Sequence, residues 1–270
     1  MSADEILFHE QDMRIKRCRH GPMLYNATDP HIGRSLELYG EYSELESALF
    51  TLVLQPGMVA IDAGANIGCF TVIMAQKVGP NGLIVAIAAQ RSNFLTLCAN
   101  VALNGLANVQ TIHATAGAEA GSMIVPRINY FEDGYYGDVE LGGYDEGEPV
   151  PVAVLDELPL TACHLIKIDV EGMEGAVVEG AKETIGKFRP VLYLENDRKE
   201  KSKALVEQLM ALDYRLFVHR PPLFNPGNFF ANTEDVFKGM GSFNLICIPK
   251  AHDYQLDNLI EITSPDERFD

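Results

Sequence analysis

From residue 45 to 218 the chain alternates between short, almost continuously apolar runs and stretches whose apolar residues recur every three or four positions. The runs VAIDAGA (59–65), LIVAIAA (83–89), VQTIHAT (109–115), HLIKIDV (164–170) and PVLYLEN (190–196) predict strands buried on both faces. The periodic stretches predict helices. One runs from Glu44 to Leu54 and is stopped by Gln55-Pro56-Gly57. A second covers 67–79, with Ile67, Phe70, Thr71, Met74 and Val78 at helical spacing and Gly79-Pro80-Asn81-Gly82 beyond it. A third is capped by Ser92 and reaches Asn104-Gly105. The last two are Met173 to Phe188, ended before Pro190, and Lys199 to Leu212. VPVAVLDEL (150–158) reads as a strand leading into a turn, and GSMIVP as a short hairpin. YRLFVH (214–219) and NLICIP (244–249) read as a closing pair with no helix between them, one of them antiparallel.

Apolar strands separated by helices imply an α/β fold with a sheet covered on both sides, and right-handed crossovers wind it doubly. The expectation is a mostly parallel, seven-stranded sheet in a domain spanning 45–250. An N-terminal extension (1–44) precedes it, an insert (127–149) interrupts it, and a tail (251–270) follows it. The insert lacks a clean period and is rich in glycine, acid and tyrosine (Tyr130, Tyr135, Tyr136, Tyr144). It reads either as a lid over a sugar-binding cleft or as a solvated acidic loop.

Composition narrows the function. With 47% hydrophobic residues the chain is not a disordered one. No apolar run reaches the length of a membrane span, and the mixed-charge start is not a signal peptide. Five scattered cysteines without a CxxC pair argue against a disulfide framework or zinc, and suggest a cytoplasmic protein. The net charge of −17 makes nucleic acid and anionic membrane poor partners. Residues 128–166 hold nine acids and no lysine or arginine.

Chemistry gathers at predicted strand ends. In D62-A-G-A-N-I-G68 a strand turns through Gly64 into a helix whose first N–H groups are unpaired. The GxxxG spacing suits a nucleoside rather than the pyrophosphate of a dinucleotide. A plain strand–turn–helix connection is the bland alternative. In K167-I-D-V-E-G-M-E174, Asp169 ends a buried strand and Glu171 lies in the turn, while Glu174 complements a helix dipole. In Y193-L-E-N-D197, Glu195 and Asn196 would lie beside Asp169 if the two strands are neighbours, and Asp197 caps a helix. Oxygen ligands there suit Mg2+ as well as substrate hydroxyls, and no metal ligand is assigned. His113 reads as a core residue; His219 and Arg220 end a late strand, and a lone histidine there is more often structural than catalytic.

VAIDAGANIGCFTVIMA, SNFLTLCANVALNGLANV, IKIDVEGMEGAVVEGA and RPVLYLEN together resemble the FkbM-type methyltransferases, over about residues 39–249. The resemblance implies a class I, Rossmann-like fold and S-adenosylmethionine as cofactor, with O-methylation of a sugar or other small hydroxylated natural product. It places Asp62, Gly64, Asn66 and Gly68 in the cofactor turn, Asn93 near the adenine or ribose, and Thr115 near the adenine. Asp169 faces the reactive end of the cofactor, and Glu41 and Glu44 help to close the site. Asp169, Glu171 and Glu195 become the candidates for orienting or deprotonating the acceptor. One departure stands out. The family usually carries Glu-Pro at the end of the second strand, where the acid holds the ribose, and this chain has Ala88-Ala89. That leaves a non-catalytic binding protein on the same fold as one rival. A nicotinamide oxidoreductase is the other, disfavoured by the GxxxG spacing and by the absence of a Tyr-xxx-Lys pair. Acceptor, metal dependence and oligomeric state are not legible in the sequence.

Overall fold

The computed structural model describes residues 6–10, 12–127, 143–252, 254, 256 and 259–267. The chain opens with an antiparallel three-stranded sheet, β1 (Ile6–Glu10), β2 (Met13–Cys18) and β3 (Gly21–Asn26), followed by α1 (Ile32–Tyr39) and α2 (Glu44–Val53). The alternating part begins with β4 (Val59–Ala63), α3 (Cys69–Val78), β5 (Leu83–Ala88), α4 (Arg91–Leu103) and β6 (Val109–His113). A second three-stranded sheet follows, from β7 (Thr115–Ala116), β8 (Gly121–Val125) and β9 (Glu148–Ala153). Alternation resumes with β10 (Leu165–Ile168), α5 (Glu174–Glu179), α6 (Lys182–Phe188), β11 (Val191–Glu195) and α7 (Lys199–Ala211). The chain closes with β12 (Tyr214–His219), β13 (Asn244–Pro249) and β14 (Ile260–Ile262).

The central sheet has eight strands in the order β14-β12-β13-β11-β10-β4-β5-β6. β6, β5, β4, β10 and β11 are parallel to one another; β13 is the antiparallel member of the expected closing pair. The seven expected strands are present, and β14, from the predicted tail, pairs antiparallel with β12 as an eighth at the edge. The chain leaves β4 towards β5 on one side and reaches β10 on the other. The crevice above the carboxyl ends of β4 and β10 is therefore the topological switch point, where open α/β sheets bind ligands. Ile61, Ile87, Ile166, Ile168, Leu192 and Leu194 pack in the core on one face of this sheet; Phe50, Phe70, Met74, Ile84, Leu165 and Tyr193 pack on the other. Successive strand residues alternate between faces, and both faces are covered, hence the unbroken apolar runs.

Three local expectations change. The helix expected over 173–188 is two helices broken at Gly180. A Cβ there would lie 2.2 Å from the Gly117 carbonyl, so the chain bends where another segment crosses it. Asp156 caps the second helix from a distance, accepting hydrogen bonds from the N–H groups of Glu183 (3.0 Å) and Thr184 (2.7 Å). The strand expected over 109–115 ends at His113, and Thr115 moves to the second sheet beside Val152. GSMIVP is not a hairpin in itself: Gly121–Val125 is one strand, paired antiparallel with β9. Most of the predicted insert, with Tyr130, Tyr135 and Tyr136, lies outside the described residues. No helix among the described residues is long and apolar enough to cross a membrane.

The N-terminal sheet is tied to the central domain by Asn100 of α4, which is wholly buried. Its Oδ1 accepts from the Leu24 N–H at 2.6 Å, and its Nδ2 donates to the carbonyls of Leu24 (3.0 Å) and Ile67 (2.8 Å). One amide thus fixes β3 against the turn that follows β4.

Candidate active site

A cleft opens above the carboxyl ends of β5, β4, β10 and β11 and runs along the sheet in that order. Its floor is the turn after β4. Gly64 has φ +84°, and a Cβ on it would stand 1.7 Å from the Asp169 carbonyl oxygen, so only glycine lets the ends of β4 and β10 meet so closely. The Gly64 and Ala65 N–H groups donate to the Ile87 carbonyl at 3.0 and 2.8 Å, which locks the turn to β5. Gly64, Ala65 and Asn66 line the cleft; Gly68 lies behind it as the N-cap of α3.

Asp62 is not a wall residue, contrary to its expected place in the cofactor contact. Its side chain is fully buried, accepts a 2.5 Å hydrogen bond from Thr71 Oγ1, and sits 3.4 Å from Lys167 Nζ. Lys167 is also buried. Its ammonium donates to the Gly64 carbonyl at 2.9 Å and pairs with Asp169 Oδ2 at 3.1 Å. Burial alone would pull the Lys167 ammonium down, but the Asp169 and Asp62 carboxylates more than offset it and raise its pKa. Asp62 therefore acts one layer back, by anchoring the lysine that holds both the glycine turn and Asp169.

At the β10 and β11 end, Asp169, Glu171 and Glu195 each bring a carboxylate oxygen within 4.8 Å of the other two. Register puts Ile168 beside Leu194, so the residues leaving these two strands emerge side by side, as expected for Asp169 and Glu195. Glu171, in the left-handed region at φ 52°, accepts from Arg198 Nη2 at 2.9 Å. Burial, with the neighbouring Asp169 and Glu171 carboxylates, pushes the Glu195 carboxyl far above the usual range. Its Oε2 is buried without a hydrogen-bond partner among the described residues. This spacing suits a divalent cation as well as a polyhydroxylated acceptor. Glu174 turns inward instead: Oε1 accepts from the N–H groups of Val170 and Gly172, which makes it a brace for the turn.

At the β5 end the cleft is lined by Ala88, Ala89, Gln90, Asn93 and Thr115. Ala88 presents only a methyl group at the expected ribose position. His113 stacks on Phe94, with ring centroids 4.9 Å apart, and its Nε2 hydrogen-bonds the Ala89 carbonyl at 3.1 Å. A further wall, which the sequence did not reveal, comes from the N-terminal segment: Asp29, His31, Ile32 and Tyr42.

Glu41 is corrected. It lies outside the cleft lining, 4% exposed, and its carboxylate accepts from Arg19 Nε (2.6 Å), Asn225 Nδ2 (2.8 Å) and the Phe229 N–H (2.8 Å). It fastens the N-terminal segment to the loop before β13. Glu44 is engaged with His20 at 2.8 Å. His219 is likewise outside the lining: its Nδ1 meets Tyr193 Oη at 2.8 Å, and Asn244 Nδ2 donates to the same hydroxyl at 2.7 Å.

Residues 62–217, more than half of the chain, match the Methyltransferase FkbM domain. The chain belongs to the FkbM methyltransferase family. Among curated proteins it is 28% identical over 142 residues to Methyltransferase 1 of Beauveria bassiana (strain ARSEF 2860), covering 44% of this chain and 57% of that one. Among solved structures it is similar to Methyltransferase FkbM from Methylobacillus flagellatus KT, with 15% identity and a TM-score of 0.47 over 75% of this chain and 50% of that chain. It is also similar to a SAM dependent methyltransferase from Aquifex aeolicus, with 16% identity and a TM-score of 0.43 over 82% and 94%.

S-adenosylmethionine is the cofactor of this family, and the cleft fits it. The glycine turn and the amides of Gln90 and Asn93 suit a nucleoside, and the carboxylates at the far end suit a cation. Two buried polar atoms in its walls, Gln90 Nε2 and Glu195 Oε2, have no hydrogen-bond partner among the described residues.

Proposed function

We propose that this chain transfers a methyl group from S-adenosylmethionine to a hydroxyl of a sugar or small hydroxylated natural product. The observation that carries the reading is the convergence of Asp169, Glu171 and Glu195 in the same cleft as the Gly64–Asn66 turn. When bound, the cofactor supplies an already electrophilic methyl group. The protein's task is then to align a hydroxyl oxygen in line and to handle its proton.

The three carboxyl groups divide that task by environment. Asp169, braced by Lys167, would accept the hydrogen bond of the acceptor hydroxyl and take up its proton as the methyl carbon exchanges its bond to sulfur for one to oxygen. Glu171 is fixed by Arg198 and orients a second hydroxyl. Glu195, whose carboxyl holds its proton at neutral pH, donates a hydrogen bond instead of accepting one. Acceptor carbons bearing neighbouring hydroxyls match such a mixed set of donors and acceptors. Tyr42 and Ile32 add apolar wall from the N-terminal segment.

The test is methyl transfer from methyl-labelled S-adenosylmethionine to a panel of free and nucleotide-linked sugars and polyhydroxylated lactones, with mass spectrometry locating the label. Label on oxygen supports the reading, whereas label only on nitrogen or sulfur refutes O-methylation. Ala88 favours one rival, a cofactor-binding protein without turnover. Tight binding of cofactor with no labelled product from any acceptor would favour that rival.

A further inference from the structure

Tyr42 brings more than an apolar ring to the cleft. The ring is held from three sides. It packs against Phe70, with ring centroids 5.8 Å apart, against the group around Ile32 and Leu36, and against the group around Leu223 and Phe237. The backbone on either side is fixed as well. Glu41 is bonded to Arg19, Asn225 and the Phe229 N–H. Ser43 is wholly buried in the left-handed region, at φ 41°, and its Oγ donates to Glu46 Oε1 at 2.6 Å. A residue other than glycine is strained in that conformation, and such strain persists only where its surroundings impose it, often beside a binding site. Here it sets the direction in which Tyr42 leaves the chain.

The hydroxyl at the end of this fixed ring is not used by the fold. The fully buried tyrosines all bond: Tyr25 to Glu37, Tyr39 to the Glu234 carbonyl, Tyr193 with His219, and Tyr214 to the Pro190 carbonyl. The Tyr42 hydroxyl makes no hydrogen bond among the described residues. Tyr42 is only half-buried and lines the open cleft, so a ligand can reach it. Burial, and after it the Glu46 and Asp169 carboxylates, disfavour the phenolate, which leaves a neutral donor. Neither carboxylate takes that donor. Glu46 is filled by Ser43, Ser242 and Asn244, and Asp169 pairs with Lys167. A molecule lying between Tyr42 and Asp169 would meet a donor on one side and an acceptor on the other.

We infer that Tyr42 is a specificity-determining residue for the acceptor: its hydroxyl donates to an oxygen on the carbon beside the one that is methylated, so the favoured acceptor carries oxygens on adjacent carbons. This rests on the reading of the cleft as an O-methyl transfer site, in which Asp169 meets the attacking hydroxyl. A donor on the attacking oxygen itself would draw on the lone pair that must reach the methyl carbon, so the donor belongs on its neighbour. Tyr42 precedes residues 62–217, in a part of the cleft wall to which the family match assigns nothing.

The experiment compares wild type with Tyr42→Phe, both as the full chain. Methyl transfer from methyl-labelled S-adenosylmethionine is measured on methyl glycosides of hexoses and 6-deoxyhexoses and on polyhydroxylated lactones. Each acceptor that takes label is then compared with its deoxy analogue lacking the hydroxyl beside the labelled carbon. Wild type should favour the intact acceptor by about tenfold in kcat/KM. Tyr42→Phe should lose about tenfold on that acceptor, mainly through KM, and stay within about twofold on the deoxy analogue, so that the preference disappears. Its thermal melt and its calorimetric affinity for S-adenosylhomocysteine should match wild type, because the ring remains. Equal loss on both acceptors, or no loss on either, overturns the role of Tyr42. Weaker binding of S-adenosylhomocysteine by Tyr42→Phe would assign the hydroxyl to the cofactor and also overturn it, as would a wild type indifferent to the neighbouring hydroxyl. If wild type labels no oxygen in the panel, the O-methyl transfer reading itself falls, and the role of Tyr42 with it.

Discussion

Lys167 Nζ stands 3.1 Å from Asp169 Oδ2, and the same ammonium holds the Gly64 carbonyl at 2.9 Å. One buried cation therefore couples the candidate catalytic carboxylate to the turn on which a nucleoside would rest. Asp62, at 3.4 Å, balances it from beneath.

Lys167→Met keeps the apolar stem but leaves Asp62 buried without its cation. Breaking a buried pair from one side costs about 3–5 kcal/mol, and Lys167→Met should lose stability on that scale in urea denaturation at neutral pH. A loss below about 1 kcal/mol would mean that Lys167 does not hold the turn.

Asp169→Asn should act on chemistry and spare the fold. The Asp169 side chain is 36% exposed, and Lys167 keeps Asp62 as a partner in the variant. Stability should change by less than about 1 kcal/mol, as for a partly exposed pair. Turnover on an identified acceptor should fall by about 10²–10⁴. Wild-type turnover by this variant would remove Asp169 from the mechanism.

Glu195 predicts a pH dependence of stability. Its folded pKa lies well above the unfolded value of about 4.5, because burial and the adjacent carboxylates disfavour the charged form. The folded state thus binds a proton that the unfolded state releases. The stability from this group is complete below the unfolded value and declines as pH rises towards the folded one. Glu195→Gln cannot ionise and escapes the decline. Its advantage over wild type in thermal melts should be small near pH 5 and grow to about 1–3 kcal/mol by pH 8. A constant gap across that range would show that Glu195 is not held neutral.

Ala88→Glu should place a carboxylate where Ala88 now lines the cleft. A hydrogen bond to a charged group contributes about 1 kcal/mol more than a neutral one, so affinity for S-adenosylhomocysteine should rise by about five- to tenfold. Without ligand the new charge sits at a position now 3% exposed, and the melting temperature should fall. Unchanged affinity by calorimetry would mean that this position does not face the ribose. Ala89→Pro should change little, since proline adds no acceptor side chain.

Asp156→Ala should remove the cap of α6, which rests on the bonds to the Glu183 and Thr184 N–H groups. The expected loss is about 0.5–2 kcal/mol in chemical denaturation, with cofactor affinity unchanged.

The strands, the glycine turn and the three carboxylates were legible because their signals are local. A strand buried on both faces must be apolar throughout, a turn of positive φ favours glycine, and a carboxylate ending an apolar run announces itself. The pairing of Asp169 with Glu195 followed once β10 and β11 were taken as neighbours. Periodicity could not show the break at Gly180, because that bend is imposed by the carbonyl of Gly117 from another segment.

Tertiary structure alone decided which polar groups face the cleft and which are spent elsewhere. Glu41 stands in a promising stretch, but its oxygens are taken by Arg19, Asn225 and Phe229, two of them about 190 residues away in the chain. Asp29, His31 and Tyr42 reach the cleft because β3 is pinned to α4 through Asn100, a contact that no spacing announces. The charge states of Lys167 and Glu195 belong to this class as well. A side chain's type sets its ordinary pKa, but burial and the distance to other charges set the shift, and both arise only when the sheet brings distant strand ends together.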